Sequence, residues 1–145
     1  MDRKKQILCF LVLVQRLDTE YASIETSDFN SICAYYQQFC SITDGNNPLN
    51  IWHWQALFAV VRALTGKLKE EAYRIIRETC EDLHGILMDS KGMDPPQTAM
   101  ALTTRLLEGH RKLMEVLYEK HNEDREEFLK VHNIENPDSK YEIVG

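Results

Sequence analysis

Apolar side chains recur along this chain at intervals of three and four, the spacing that lines up one side of an α-helix. A first such stretch covers residues 3–17, with Leu8, Leu11, Val12 and Val14 on a broad inner face. A second begins at Ser27, whose hydroxyl suits a helix cap, and carries Phe29, Ile32, Cys33, Tyr36, Phe39 and Cys40. Residues 44–48, Asp-Gly-Asn-Asn-Pro, form the clearest turn, and Lys91-Gly-Met-Asp-Pro-Pro96 marks a later break. Between these breaks a fourth stretch, 67–88, holds Leu68, Ala72, Ile75, Ile76, Cys80, Leu83 and Leu87 on one stripe.

Residues 47–64 depart from the one-sided pattern. Asn47 offers a cap and Pro48 fits a first helical turn, where a missing N–H costs nothing. Beyond them Leu49, Ile51, Trp52, Trp54, Leu57, Phe58, Val60, Val61 and Leu64 cover every side of the cylinder. A helix apolar all round is expected to be surrounded by other elements, so this segment, about 27 Å long, reads as the central pillar.

The last helical pattern opens at Asp94-Pro95 and is the longest. Ala99, Leu102, Leu106, Leu113 and Leu117 recur at helical spacing, with Met100, Leu107 and Met114 alongside at intervals of seven. Residues 119–127 are entirely polar, and no Pro falls between Pro96 and Pro137. A helix continuing to His132 would run about 55 Å, which demands either fraying near Asn122 or a projecting arm. Apolar residues then return at Phe128, Leu129, Val131 and Ile134, and again at Tyr141, Ile143 and Val144.

The pattern therefore predicts an all-α, single-domain bundle of about five helices. Its core spans residues 1–121, and residues 122–145 form a C-terminal helical arm with a projecting or folded-back tail. A length of 145 residues suits one domain, and 43% apolar with 28% charged residues suits a water-soluble one. The net charge of −6, with Lys and Arg scattered, lacks the basic footprint of a general nucleic-acid binder. Residues 7–14 are too short an apolar run to span a membrane and read as part of the first helix rather than as a leader. Cys33, Cys40 and Cys80 fall on apolar stripes and no CxxC pair occurs, which points to buried thiols, no metal and a reducing, cytoplasmic compartment.

Chemistry enters at three places. Glu81-x-x-His84 has the spacing used by carboxylate-bridged metal bundles, but those sites need a second such pair, and the chain has none. Trp52-His53-Trp54 offers rings for stacking, although its helix is expected to bury them. Arg105-Leu-Leu-Glu-Gly-His110 has Arg-x4-His spacing and resembles the motif of the HEPN family of helical ribonucleases and nucleotide-binding proteins. That resemblance implies metal-independent RNA cleavage at a dimer interface, with Arg105 stabilising phosphate charge and His110 moving protons. The residue after the arginine, polar in that family, is Leu106 here, and Arg-x6-His spacings also occur at Arg77–His84 and Arg125–His132.

The expectation these features favour is a non-enzymatic protein–protein interaction module: an adaptor, complex subunit or inhibitor that requires no cofactor. Its partner is another protein or a second copy in a homodimer, contacted through Phe128, Leu129, Val131, Ile134 and Tyr141. The alternatives are the HEPN-like ribonuclease using Arg105 and His110, and an acidic nucleic-acid mimic.

Overall fold

In the computed structural model, which describes the backbone of residues 2–43 and 48–132 and the side chains of 2–43 and 53–132, the chain runs through five helices: α1 (Arg3–Thr19), α2 (Phe29–Thr43), α3 (Pro48–Arg62), α4 (Gly66–Asp89) and α5 (Pro95–Val131). A single 3-10 turn, Tyr21–Ser23, follows α1, and no strand occurs among the described residues. The chain is thus an all-α bundle.

Local chemistry sets the helix starts. Asp2 caps α1 by accepting the Lys5 N–H at 2.8 Å. Asp28, rather than Ser27, caps α2: its carboxylate accepts the Ser31 N–H at 3.0 Å, while the Ser27 hydroxyl turns to Glu25. The residue three positions before the orphan N–H supplies the cap, and that residue is Asp28. Asp94 stands at the N-cap of α5 with Pro95 behind it, and it accepts the Thr98 N–H through its backbone carbonyl rather than its side chain. The expected cap at Asn47 lies outside the described residues. Gly92, in the turn after α4, has φ +92°, a conformation that favours glycine.

Packing reverses the expected role of α3. Trp54, Phe58, Val61 and Leu64 are buried along one stripe, but Ala56, Ala59 and Ala63 are exposed and Val60 is 49% exposed. The helix lies on the outside of the bundle, mainly against α2. Its outer face is apolar in kind but small in area, and a run of alanines leaves little to bury. The middle belongs instead to α2 and α4. Ile32, Cys33, Tyr36, Phe39 and Cys40 from α2 meet Ala72, Ile76, Cys80 and Leu83 from α4, all fully enclosed.

The most extensive pairing is α4 against α5. Gly109 of α5 is buried against Thr79 of α4, whose hydroxyl donates to the Ile75 carbonyl at 2.7 Å. A Cβ on Gly109 would fall 2.8 Å from Thr79 Cγ2. No real Cβ approaches so closely, so the helix spacing here requires glycine on one side.

Gly109→Ala is therefore expected to destabilise the protein by about 1–3 kcal/mol through overpacking, even though alanine gains about 1 kcal/mol of helix propensity over glycine. Adding Thr79→Ala should recover part of that loss. Urea denaturation measures both, and a stabilised Gly109→Ala protein would show that the two helices are not held at this distance.

Candidate interaction surface

The two faces of α5 differ in a way that its sequence disguises. Leu102, Leu106, Leu113 and Val116 are buried in the bundle, with Gly109 among them. Met100 and Leu107, set alongside that stripe by the sequence reading, prove to lie on the opposite side, 69% and 60% exposed. At 3.6 residues per turn Met100, Leu107 and Met114 sit about 120–160° from the centre of the buried stripe, too far to share it. Tyr118, 67% exposed, continues the outer row. The spacing of seven carried this signal, since it drifts only slowly around a helix.

Beyond Leu117 the helix leaves the core. Leu117 is the last residue of α5 packed against the buried cluster, and residues 121–128 are all exposed. No fray occurs at Asn122: α5 is continuous for 37 residues, about 55 Å. Of the residues expected to meet a partner, Phe128 and Val131 are exposed on this arm, Leu129 is half-buried, and the Phe128 ring lies 4.3 Å from that of His132. Ile134 and Tyr141 lie outside the described residues.

At its other end α5 forms one wall of a groove of about 630 Å³, with the first turns of α1 as the second wall. Ile7, Leu8, Ala99 and Met100 give it an apolar lining, and Arg3 and Lys4 stand at its edge. Leu8 is itself exposed, so groove and outer stripe form one apolar surface.

The structure separates Arg105 from His110. Arg105 Nε donates to Asp82 Oδ2 of α4 at 2.7 Å, and its Nη1 is buried without a hydrogen-bond partner among the described residues. It lines a cleft between α4 and α5 in which Arg74, Glu78, Lys112 and Glu115 mix both signs of charge. His110 is not in that cleft; its ring meets Trp54 of α3 edge-on, centroids 5.3 Å apart. Five positions along a helix place two side chains about 140° apart. The pair does not converge on one cleft within this chain.

His84 takes Asp18 rather than Glu81 as its carboxylate. Its Nδ1 lies 2.7 Å from Asp18 Oδ1, and the ring stacks on Tyr21 at 4.7 Å. Tyr35 O–H donates to the same Asp18 oxygen at 3.5 Å. This corner joins α1, the 3-10 turn, α2 and α4, while Glu81 faces water. Among the described residues no group of three or more His, Cys, Asp or Glu side chains is placed to hold a metal ion. Trp54 is buried against Phe58, His53 is exposed, and the Trp52 side chain lies outside the described residues.

Three thiols, Cys33, Cys40 and Cys80, are buried, whereas Cys9 is exposed. No described helix is long and apolar enough to cross a membrane. No protein-family model, curated protein or solved structure matches this chain.

Burial holds the core thiols and phenols neutral. The Cys33 thiol is pushed from 9.0 up to about 12, and Cys80, Tyr35 and Tyr36 are likewise raised, in each case chiefly by removal from water. A raised folded-state value favours folding below the unfolded pKa and loses that contribution as pH climbs toward the folded one. Stability should therefore be flat with respect to these groups below pH 9, then fall between about pH 9 and 12. The urea midpoint against pH measures this. In parallel, a disulfide thiol reagent at neutral pH should modify Cys9 rapidly and the other three only on unfolding. A midpoint level to pH 11, or a second fast thiol, would contradict the burial described.

Proposed function

We propose that this chain is a small helical protein–protein interaction module, an adaptor, complex subunit or inhibitor that acts by binding rather than by catalysis. The observation carrying this reading is the outer face of α5, where Met100, Leu107 and Tyr118 stand exposed in one row, with Phe128 and Val131 exposed farther along the helix at other angles. Soluble monomers rarely keep so long an apolar row in water. Covering each large side chain contributes about 1.5–3 kcal/mol, so even two or three of them supply useful affinity. Glu108, Arg111 and Glu115 flank the row, giving an apolar centre with a charged rim. The arm adds reach, because its polar residues 119–127 keep it solvated while it carries Phe128 and Val131 clear of the core.

A photo-crosslinking side chain in place of Leu107 should give a discrete protein adduct in the native cell. The same group in place of Glu70, exposed on α4, should not. Leu107→Glu, combined with Tyr118→Glu, should abolish the interaction while leaving the thermal midpoint within a few degrees, since neither residue touches the core. Equal crosslinking at both positions, or none at either, would contradict the proposal.

A further inference from the structure

We infer that the occupant of this surface is a second copy of the chain, packed antiparallel along α5 so that each arm lies in the α1–α5 groove of the other. The inference rests on the interaction reading above and adds the partner and its orientation. Three features of the molecule support it.

The first is spacing. A two-fold axis passing outside α5 at the level of Val116 brings the outer stripe against its own copy, the self-matching arrangement of a closed dimer. The groove lies at residues 99–104 and the apolar end of the arm at 128–131. Their centres are each about 14 residues, or roughly 21 Å, from that axis, on opposite sides. The same arrangement brings Phe128, which lies within about 20° of the groove-lining Ala99 and Thr103 around the helix, level with the groove of the second copy.

The second is charge. Arg3 and Lys4 stand at the groove against one carboxylate, Asp94. Residues 115–131 hold six carboxylates against three basic side chains. Antiparallel packing brings this net-acidic segment to the basic edge of the groove, whereas parallel packing would set it beside its own acidic copy. The helix dipoles favour the same orientation.

The third is shape. The arm is a continuous helix with a free apolar end, and the groove is open and apolar with a basic edge. An acidic helix tipped with Phe128 and Val131 matches that combination, as a polar or basic peptide would not.

The test is light scattering on the full chain with charge reversals at the two ends of the contact. The groove variant carries Arg3→Glu and Lys4→Glu, and the arm variant carries Glu126→Lys and Glu127→Lys. The unaltered chain should be a dimer, and each variant alone should associate about tenfold or more weakly. An equimolar mixture of the two variants should regain the dimer, one copy of each. Both contacts in the mixed pair are again opposite in sign, and misfolding of either variant would not be repaired by mixing. A mixture that stays monomeric overturns the inference, as does an unaltered chain that is monomeric at the highest soluble concentration. If that monomer still yields a Leu107 adduct with a different protein, the second copy is refuted and the interaction reading stands; if it yields none, both fall.

Discussion

The close approach of α4 and α5 at Thr79 and Gly109 is the constraint on which the remaining architecture rests. Because one partner has no Cβ, these two helices meet at a spacing that a side chain at Gly109 would not allow, and they form the most extensive pairing in the bundle. That contact fixes which side of α5 faces inward. Leu102, Leu106, Leu113 and Val116 flank Gly109 and are sealed with it. The opposite side, with Met100, Leu107 and Tyr118, is then committed to solvent or to another surface. The same fixed rotation sends Arg105 toward Asp82 on α4 and His110 toward Trp54 on α3. Fold, candidate surface and the parting of the Arg-x4-His pair share this origin.

Length supplies the second half of the account. The bundle buries α5 only as far as Leu117, but the helix continues to Val131. A free helical segment of this size is marginal in water unless something packs on it. Its polar stretch carries i,i+4 support of the Lys120–Asp124 kind, a 2.7 Å pair worth little by itself at an exposed site. Phe128 and Val131 add apolar area at the far end, where this chain's own core does not reach. A contact with another molecule, as proposed above, would both stabilise the arm and cover its apolar end.

Much of this was legible from residue order. The three-and-four spacing located five helices and nearly all of the enclosed positions, including Ile32, Phe58, Leu83 and Leu102. The expectation fails for 47–64, where the pattern counts Val60 into an all-round apolar surface; Val60 is 49% exposed, and with Ala56, Ala59 and Ala63 it forms a face of small side chains that the fold has no need to cover. The outer row of α5 was present as Met100, Leu107 and Met114 at intervals of seven, but its phase was merged with that of the core stripe. An angular reading would have separated the two rows, and would equally have parted Arg105 from His110. The Thr79–Gly109 contact was not legible at all, because it joins residues 30 positions apart on two helices whose relative rotation no local pattern specifies. Of the residues expected to meet a partner, Phe128 and Val131 are exposed and Leu129 is half-buried, while the groove between α1 and α5 required the packed helices.

The most direct measurement of the central claim, that the outer face of α5 is a contact surface, is amide hydrogen exchange followed residue by residue over a wide range of protein concentration. An uncovered arm opens readily, so its amides exchange fast, whereas a covered one is held closed. The account predicts that protection across residues 119–131 rises with concentration, and that the first turns of α1 gain protection over the same range. Arm amides that exchange equally fast at every concentration, with α1 unchanged, would contradict it.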